Sequence, residues 1–368
     1  MSNTLYKVSD AIAALNDAFP LSSQDSWDNS GLLVGDATAP LKGILLALDI
    51  TEAAVAEAAS LGCNLVLTHH PLMFRGLKRL TGQTDEQRAI MKALANGIAL
   101  AAFHTPADKA LEGTSGSIGR LLGLEGLKVL VPDQDALCKI VVYVPGSHAD
   151  ACADAMSAAG AGHIGNYSHC AWRTDGTGEF MAEQGANPYC GNLGQLHHEP
   201  EVRIEAICLR KSAGRVLTAI VKAHPYEEPA IDVIPLSNAC PTQGYGVVGT
   251  LAKPLSQTDF LALVKEKLEC QCIRFAGQAN EVRTVAICTG SGSEFTPDAM
   301  AARADAYITA DVKYHQMADA AQGILILDVG HFESEKITKS IFLSILNRKL
   351  PNFAHYELSR EANPVKYF

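Results

Sequence analysis

Short apolar runs alternate with helical stretches at both ends of this chain. Gly43-Ile44-Leu45-Leu46-Ala47-Leu48-Asp49 is almost continuously apolar, the pattern of a strand buried on both faces. Thr51 is placed to cap a helix over Glu52–Ala59, Gly62 stops it, and a second strand is expected over Asn64–Thr68. A helix over Asp85–Ala95, ending near Asn96-Gly97, leads into a third strand from Ile98. This is a βαβ pattern and predicts a parallel sheet. The layout returns late in the chain: a strand at Thr284–Thr289, then Gly290-Ser291-Gly292-Ser293, a helix begun near Thr296-Pro297, and a strand at Ala306–Thr309. The spacing from Asp49 to His69 equals that from Thr289 to Thr309, which points to an internal duplication.

The middle has a different texture. A strand (Ile140–Val144) and a helix (Ala149–Ala159) precede a Gly-rich, aromatic stretch reaching Gly194. A strand (Val202–Leu209), a helix (Ala213–Ala223) and a strand (Ala230–Ile234) follow. That order predicts a ferredoxin-like α+β module, with Pro132-Asp133 and Cys240-Pro241 as hinges. The expected fold class is α/β: a duplicated βαβ parent domain with a metal site at the carboxyl ends of its strands, plus an inserted ferredoxin-like α+β domain. Residues 1–135 and 240–368 would be the two parent halves and 136–239 the insert. A chain of 368 residues exceeds one comfortable core, in keeping with that division.

A formal net charge of −10 argues against non-specific nucleic-acid binding and against anionic membranes. Met1–Lys7 lacks the charged and apolar regions of a secretion signal, and no apolar stretch is long enough to span a bilayer. The ten cysteines are scattered, and Cys270-Gln271-Cys272 lacks the paired partner of a zinc ribbon. They read as buried, reduced thiols in a cytoplasmic protein.

The chemistry concentrates in three segments, each emerging from an apolar run: Thr68-His69-His70-Pro71, Phe103-His104-Thr105-Pro106-Ala107-Asp108, and Asp328-Val329-Gly330-His331-Phe332-Glu333-Ser334-Glu335. Ligands of open α/β sheets collect at the carboxyl ends of strands. Adjacent histidines within a regular strand face opposite ways, but at a strand end turned by Pro71 they diverge toward neighbouring positions. His331 and Glu335 stand four apart at the start of a helix expected over Ser334–Leu346, and so share a face. His69, His70, Asp108, His331 and Glu335 are thus candidate ligands for a pair of divalent ions bridged by carboxylate. Mixed nitrogen and oxygen donors suit Zn, Mn or Fe alike.

Asp311, His315 and His104 are candidates to support the site or move a proton, weighed against an ordinary helix-starting acid and ordinary polar histidines. Arg75, Lys78 and Arg79 could hold phosphates, with a solvated basic loop as the competing reading. Gly290-Ser291-Gly292-Ser293 is a weak candidate anion cradle. Six of the twelve histidines (His148, His163, His169, His197, His198 and His224) fall in the insert with no ligand spacing, and are read as structural.

Leu67-Thr68-His69-His70-Pro71-Leu72, His104-Thr105-Pro106-Ala107-Asp108 and Asp328–Glu335 resemble the motifs of the Nif-three-like family of dinuclear-metal hexamers, the GTP cyclohydrolase I type 2 homologues. Trp27-Asp28-Asn29-Ser30-Gly31-Leu32 and Ala306–His315 add to the resemblance, which covers essentially the whole chain. The middle module, through Gly160–Tyr167 and Ala223–Ala230, is similar to the PII/CutA-like insert of longer members. Where the family often has Asn-Leu this chain has Pro106-Ala107, and Ala310 replaces a usual glycine. The resemblance implies the same five metal ligands, two divalent ions per subunit and a toroidal homohexamer. It further implies hydrolytic opening of the GTP imidazole ring with formate release, with His104 or His315 shuttling the proton. A phosphoesterase, or a metal-loaded regulatory or adaptor protein with a ligand-sensing insert, are the alternatives. Metal storage ranks last.

Overall fold

The structure is a computed structural model that describes residues 6–359, 361 and 363–368. Most of the segment read for a secretion signal therefore lies outside the described residues. The chain divides into two compact units: the residues up to Pro132 together with those from Pro241 onward, and Asp133–Cys240 between them.

Along the chain the first unit contributes β1 (Gly31–Val34), β2 (Ile44–Ala47), β3 (Leu65–Thr68), β4 (Ala99–Ala102) and β5 (Leu124–Pro132). The second contains β6 (Leu137–Pro145), β7 (Trp172–Met181), β8 (Leu196–Leu209) and β9 (Ile231–Leu236). The first unit resumes with β10 (Gly244–Ser256), β11 (Arg274–Ala276), β12 (Glu281–Ile287), β13 (Ala306–Thr309), β14 (Leu325–Asp328) and β15 (His355–Glu357).

Two sheets in the first unit repeat one arrangement. In the order β1-β4-β3-β2-β15, the strands β2, β3 and β4 are parallel and β1 closes the β4 edge antiparallel. In the order β11-β14-β13-β12-β10-β5, the strands β12, β13 and β14 are parallel and β11 closes the β14 edge antiparallel. Every residue of β2, β3, β4, β13 and β14 is buried, because helices cover both faces. On the first sheet Leu45, Val66 and Leu100 pack with the helices Glu52–Ser60 and Asp85–Asn96. Ile44, Leu67 and Ala101 pack the opposite way, with Val8–Ala18 and Thr338–Lys349. The expected cap is present: Thr51 Oγ1 accepts the Ala54 N–H at 3.0 Å.

The expected helix over Ser334–Leu346 is two helices, His331–Glu335 and Thr338–Lys349. Ser334 Oγ donates to the His331 carbonyl at 2.8 Å and accepts the Gly290 N–H at 3.0 Å, so local side-chain bonds compete with a continuous helical ladder here.

The second unit runs β6, helix Ala149–Ala158, β7, β8, helix Ala213–Ala223, β9, and its sheet is antiparallel throughout in the order β7-β8-β6-β9. Its two helices cover one face, burying Ile140, Val142, Ile204 and Ala206 against Cys152, Met156, Val216 and Ile220. Strand β7 was hidden in the Gly-rich stretch because nearly every residue of it is exposed, leaving no apolar alternation to read. Among the described residues no helix is long and apolar enough to cross a membrane.

Phe342 ties the last long helix to the first sheet, its ring 5.9 Å from that of Phe19 and 6.2 Å from that of Phe103. Phe342→Ala is expected to destabilise this unit by about 3–5 kcal/mol, read as a lower urea midpoint.

Candidate metal centre

Five strands, β2, β3, β4, β13 and β14, end at one place. After β3, Thr68 Oγ1 donates to the His70 carbonyl at 2.7 Å, folding the chain so that consecutive histidines turn toward one cluster. His69 is fully buried, and its Nδ1 lies 3.1 Å from the Phe103 carbonyl, which can only accept. Nδ1 therefore carries a proton, and Nε2 points into the cluster, where it has no hydrogen-bond partner. That Nε2 is 3.4 Å from Asp108 Oδ1 and 3.8 Å from Glu335 Oε1. His70 Nε2 and His331 Nε2 each stand 2.9 Å from the other oxygen, Glu335 Oε2, and 3.4 Å from one another.

The rings are aimed by acids. Asp49, just past β2, accepts from His70 Nδ1 at 2.8 Å, and Asp311, just past β13, accepts from His331 Nδ1 at 2.7 Å. Asp108 accepts from Thr114 Oγ1 at 2.9 Å. His104 follows β4; its Nδ1 lies 3.1 Å from Asp28 Oδ1 and its backbone N–H donates to Ser30 Oγ at 3.0 Å. Three overlapping sets have their ligand atoms within 4.8 Å of one another: His69, His70 and His104; His69, Asp108 and Glu335; His70, His331 and Glu335. Buried imidazoles and carboxylates converging in this way can hold a metal ion.

The buried groups shift one another's charge. Burial opposes charge on Glu335, but His69, His331 and His70 hold it well below the usual carboxylate range. Burial pushes Asp108 up, outweighing His69 and His104. Burial also opposes protonation of His70 and His331, yet Asp49 and Glu335 push His70 up to about 10, and Glu335 and Asp311 push His331 up to about 9.

The five expected ligands and His104 are thus brought together, and Asp311 supports His331 directly. His315 is not: it stands exposed on the helix Tyr314–Ala320 with its ring against Tyr314. Arg75, Lys78 and Arg79 line a cavity of about 630 Å³ together with Pro71 and Phe74. Gly290-Ser291-Gly292-Ser293 closes on the cluster rather than cradling an anion. The Gly290 and Gly292 N–H groups are taken by Ser334 Oγ and Thr309 Oγ1, and a Cβ on Gly290 (φ +65°) would collide with the Glu335 carboxylate.

Sequence reasoning missed the roles of Asp28 and Asp49. A signal for Asp49 existed: it precedes His70 by 21 residues, much as Asp311 precedes His331 by 20. Both acids end a strand.

Paired mixed sheets with parallel centres that meet at a buried histidine–carboxylate cluster, with an antiparallel unit between them in sequence, define a two-unit α/β protein with a candidate metal centre. The family model for Duf34/NIF3 (NGG1p interacting factor 3) matches residues 6–364, and the chain belongs to this family. It is 38% identical over 323 residues to a "GTP cyclohydrolase 1 type 2 homolog" of Halalkalibacterium halodurans, covering 87% of each chain. To the protein of the same name in Bacillus subtilis it is 37% identical, over 85% of this chain and 84% of that one. Among solved structures, a Bacillus cereus protein related to NIF3 aligns over 100% of both chains with a TM-score of 0.86 and 34% identity.

Asp311→Asn removes the anion that orients His331, and metal affinity is expected to fall by about 10–100-fold in a chelator competition; unchanged affinity would remove Asp311 from the centre. The raised His70 and His331 values also set a pH dependence for the metal-free protein. The folded state holds more protons than the unfolded chain above about 6.5. This stabilisation is complete below about 6.5 and is lost as the pH rises through about 9 and about 10. Denaturation midpoints of chelator-treated protein should fall across that window.

Proposed function

We propose that this protein is a dinuclear-metal-dependent hydrolase acting on a purine nucleotide, with GTP the first substrate to test. The observation that carries the reading is Glu335. Its Oε1 faces His69 and its Oε2 faces His70 and His331, while His69 Nε2 stays buried without a partner. One carboxylate turned toward two donor sets suits a bridge between two ions. His69, Asp108 and Glu335 would hold one, and His70, His331 and Glu335 the other. Bound divalent ions lower the pKa of water toward neutrality and polarise a substrate oxygen or ring.

The chain's own residues supply the rest. His104, tied through Nδ1 to Asp28, is positioned beside His69 and His70, with ring centroids 5.1 and 5.5 Å away, and is the candidate to hold or pass a proton. Its ring is flanked at 5.6 and 5.7 Å by Trp27 and Phe74, both half exposed. Exposed aromatic faces beside a site suit a stacked base, and the basic cavity at Arg75, Lys78 and Arg79 suits its phosphates. The relatives' shared name puts GTP ahead of other nucleotides. The Asp133–Cys240 unit is read as ferredoxin-like, from its βαββαβ order and antiparallel sheet.

The test is formate release from GTP by protein reconstituted separately with Zn, Mn and Fe. Metal-dependent formate that disappears in His331→Ala, and a raised KM in Trp27→Ala, are expected. No formate at full metal occupancy overturns the cyclohydrolase reading, and phosphate release instead would reassign the reaction to a phosphoester.

A further inference from the structure

The histidines of the insert have no ligand spacing in sequence, but the folded chain supplies a partner for one of them. Residues 182–195 join β7 to β8, and this loop is tied down at two points. The Asn187 N–H donates to Glu227 Oε1 at 2.9 Å and the Gly194 N–H to the Ala182 carbonyl at 2.7 Å. The loop returns Cys190 to the face of β8 that carries His197 and Glu199, two positions apart and so on one side of the strand. Their ligand atoms lie within 4.8 Å of one another, with His197 Nε2 2.9 Å from Glu199 Oε2. Gly191 makes the approach possible. At φ +81° it lies so close that a Cβ would sit 3.0 Å from His197 Cβ and Cγ.

Neighbouring groups hold the three in place. The Phe180 ring packs edge-on against His197 with centroids 5.3 Å apart. The Tyr226 hydroxyl donates to Glu201 Oε1 at 2.8 Å and lies 3.9 Å from Cys190 Sγ. Among the described residues neither Glu199 nor Glu201 makes an ion pair with lysine or arginine. Partial burial, then Glu199 and Glu201, push the thiol above its usual value against the hydrogen bond with Tyr226. Glu199 and Glu201 together give the spot negative charge.

We propose that Cys190, His197 and Glu199 form a zinc site in the insert, additional to the parent centre and independent of its chemistry. One thiolate, one imidazole and one carboxylate suit zinc and disfavour magnesium or calcium, and three protein ligands leave a fourth position for water or a small ligand. Phe180, Glu201 and Tyr226 also line a cavity of about 580 Å³, so a small molecule held there would lie beside the ion. Binding transfers the Cys190 thiol proton to solvent and therefore strengthens as the pH rises.

Cobalt(II) separates this site from the parent centre, whose proposed ligands contain no sulfur. The full-length protein titrated with cobalt should show a near-ultraviolet thiolate-to-cobalt charge-transfer band. The band should persist in His331→Ala and vanish in Cys190→Ser, which should also bind one zinc fewer per chain. Glu199→Gln keeps the thiol and should weaken the band's cobalt affinity by at least about tenfold, guarding against a folding defect in the serine variant. Absence of the band at saturating cobalt, or its survival in Cys190→Ser, overturns the proposal.

Discussion

The parent unit is organised around one buried carboxylate. Removing an anion from water is expensive unless opposite charge or hydrogen-bond donors replace the lost hydration. Glu335 is 3% exposed, and the groups facing it are three imidazoles: His331 one helical turn away, and His69 and His70 from the far half of the parent unit. Its place also dictates its surroundings. Gly290 has no room for a side chain beside it, and the Gly290 N–H, just past β12, donates to Ser334 Oγ on the helix that carries Glu335. Two sheets meeting at their carboxyl ends provide the one edge where all of these can be met.

The two sheets share an arrangement but divide the chemistry unequally. In the first, an acid after β2 aims an imidazole after β3; in the second, an acid after β13 aims an imidazole after β14. The pairs are therefore offset by one strand. The first half adds His69, His104 and Asp108, and the second half adds Glu335, whose two oxygens join the donor sets. A repeated scaffold has given an asymmetric site. The Asp133–Cys240 unit keeps one face of its sheet for packing against its helices and the other for an aromatic and acidic surface, and the only thiol among the donor clusters of the described residues lies there.

Some of this was legible in advance. Continuous apolar runs marked β2, β3, β13 and β14, because strands covered on both faces cannot afford polar positions. Thr51 as a cap and histidines at strand ends were readable for the same reason, since each depends on neighbours a few residues away. Strand β7 was not, because its exposed residues carry no apolar period, and neither was the break between His331–Glu335 and Thr338–Lys349, beside which Ser334 Oγ accepts the distant Gly290 N–H.

The sequence alone therefore determined the buried parallel strands, the switch in texture between the outer segments and the middle, and the five candidate ligands that the parent unit brings together. These follow from local periodicity and from side-chain chemistry. The tertiary structure decided which of them meet. It placed Asp28 and Asp49 behind their histidines, kept His315 in solvent, and brought Cys190 to His197, because contacts between residues far apart in the chain are set by strand order and loop closure, which no local pattern encodes.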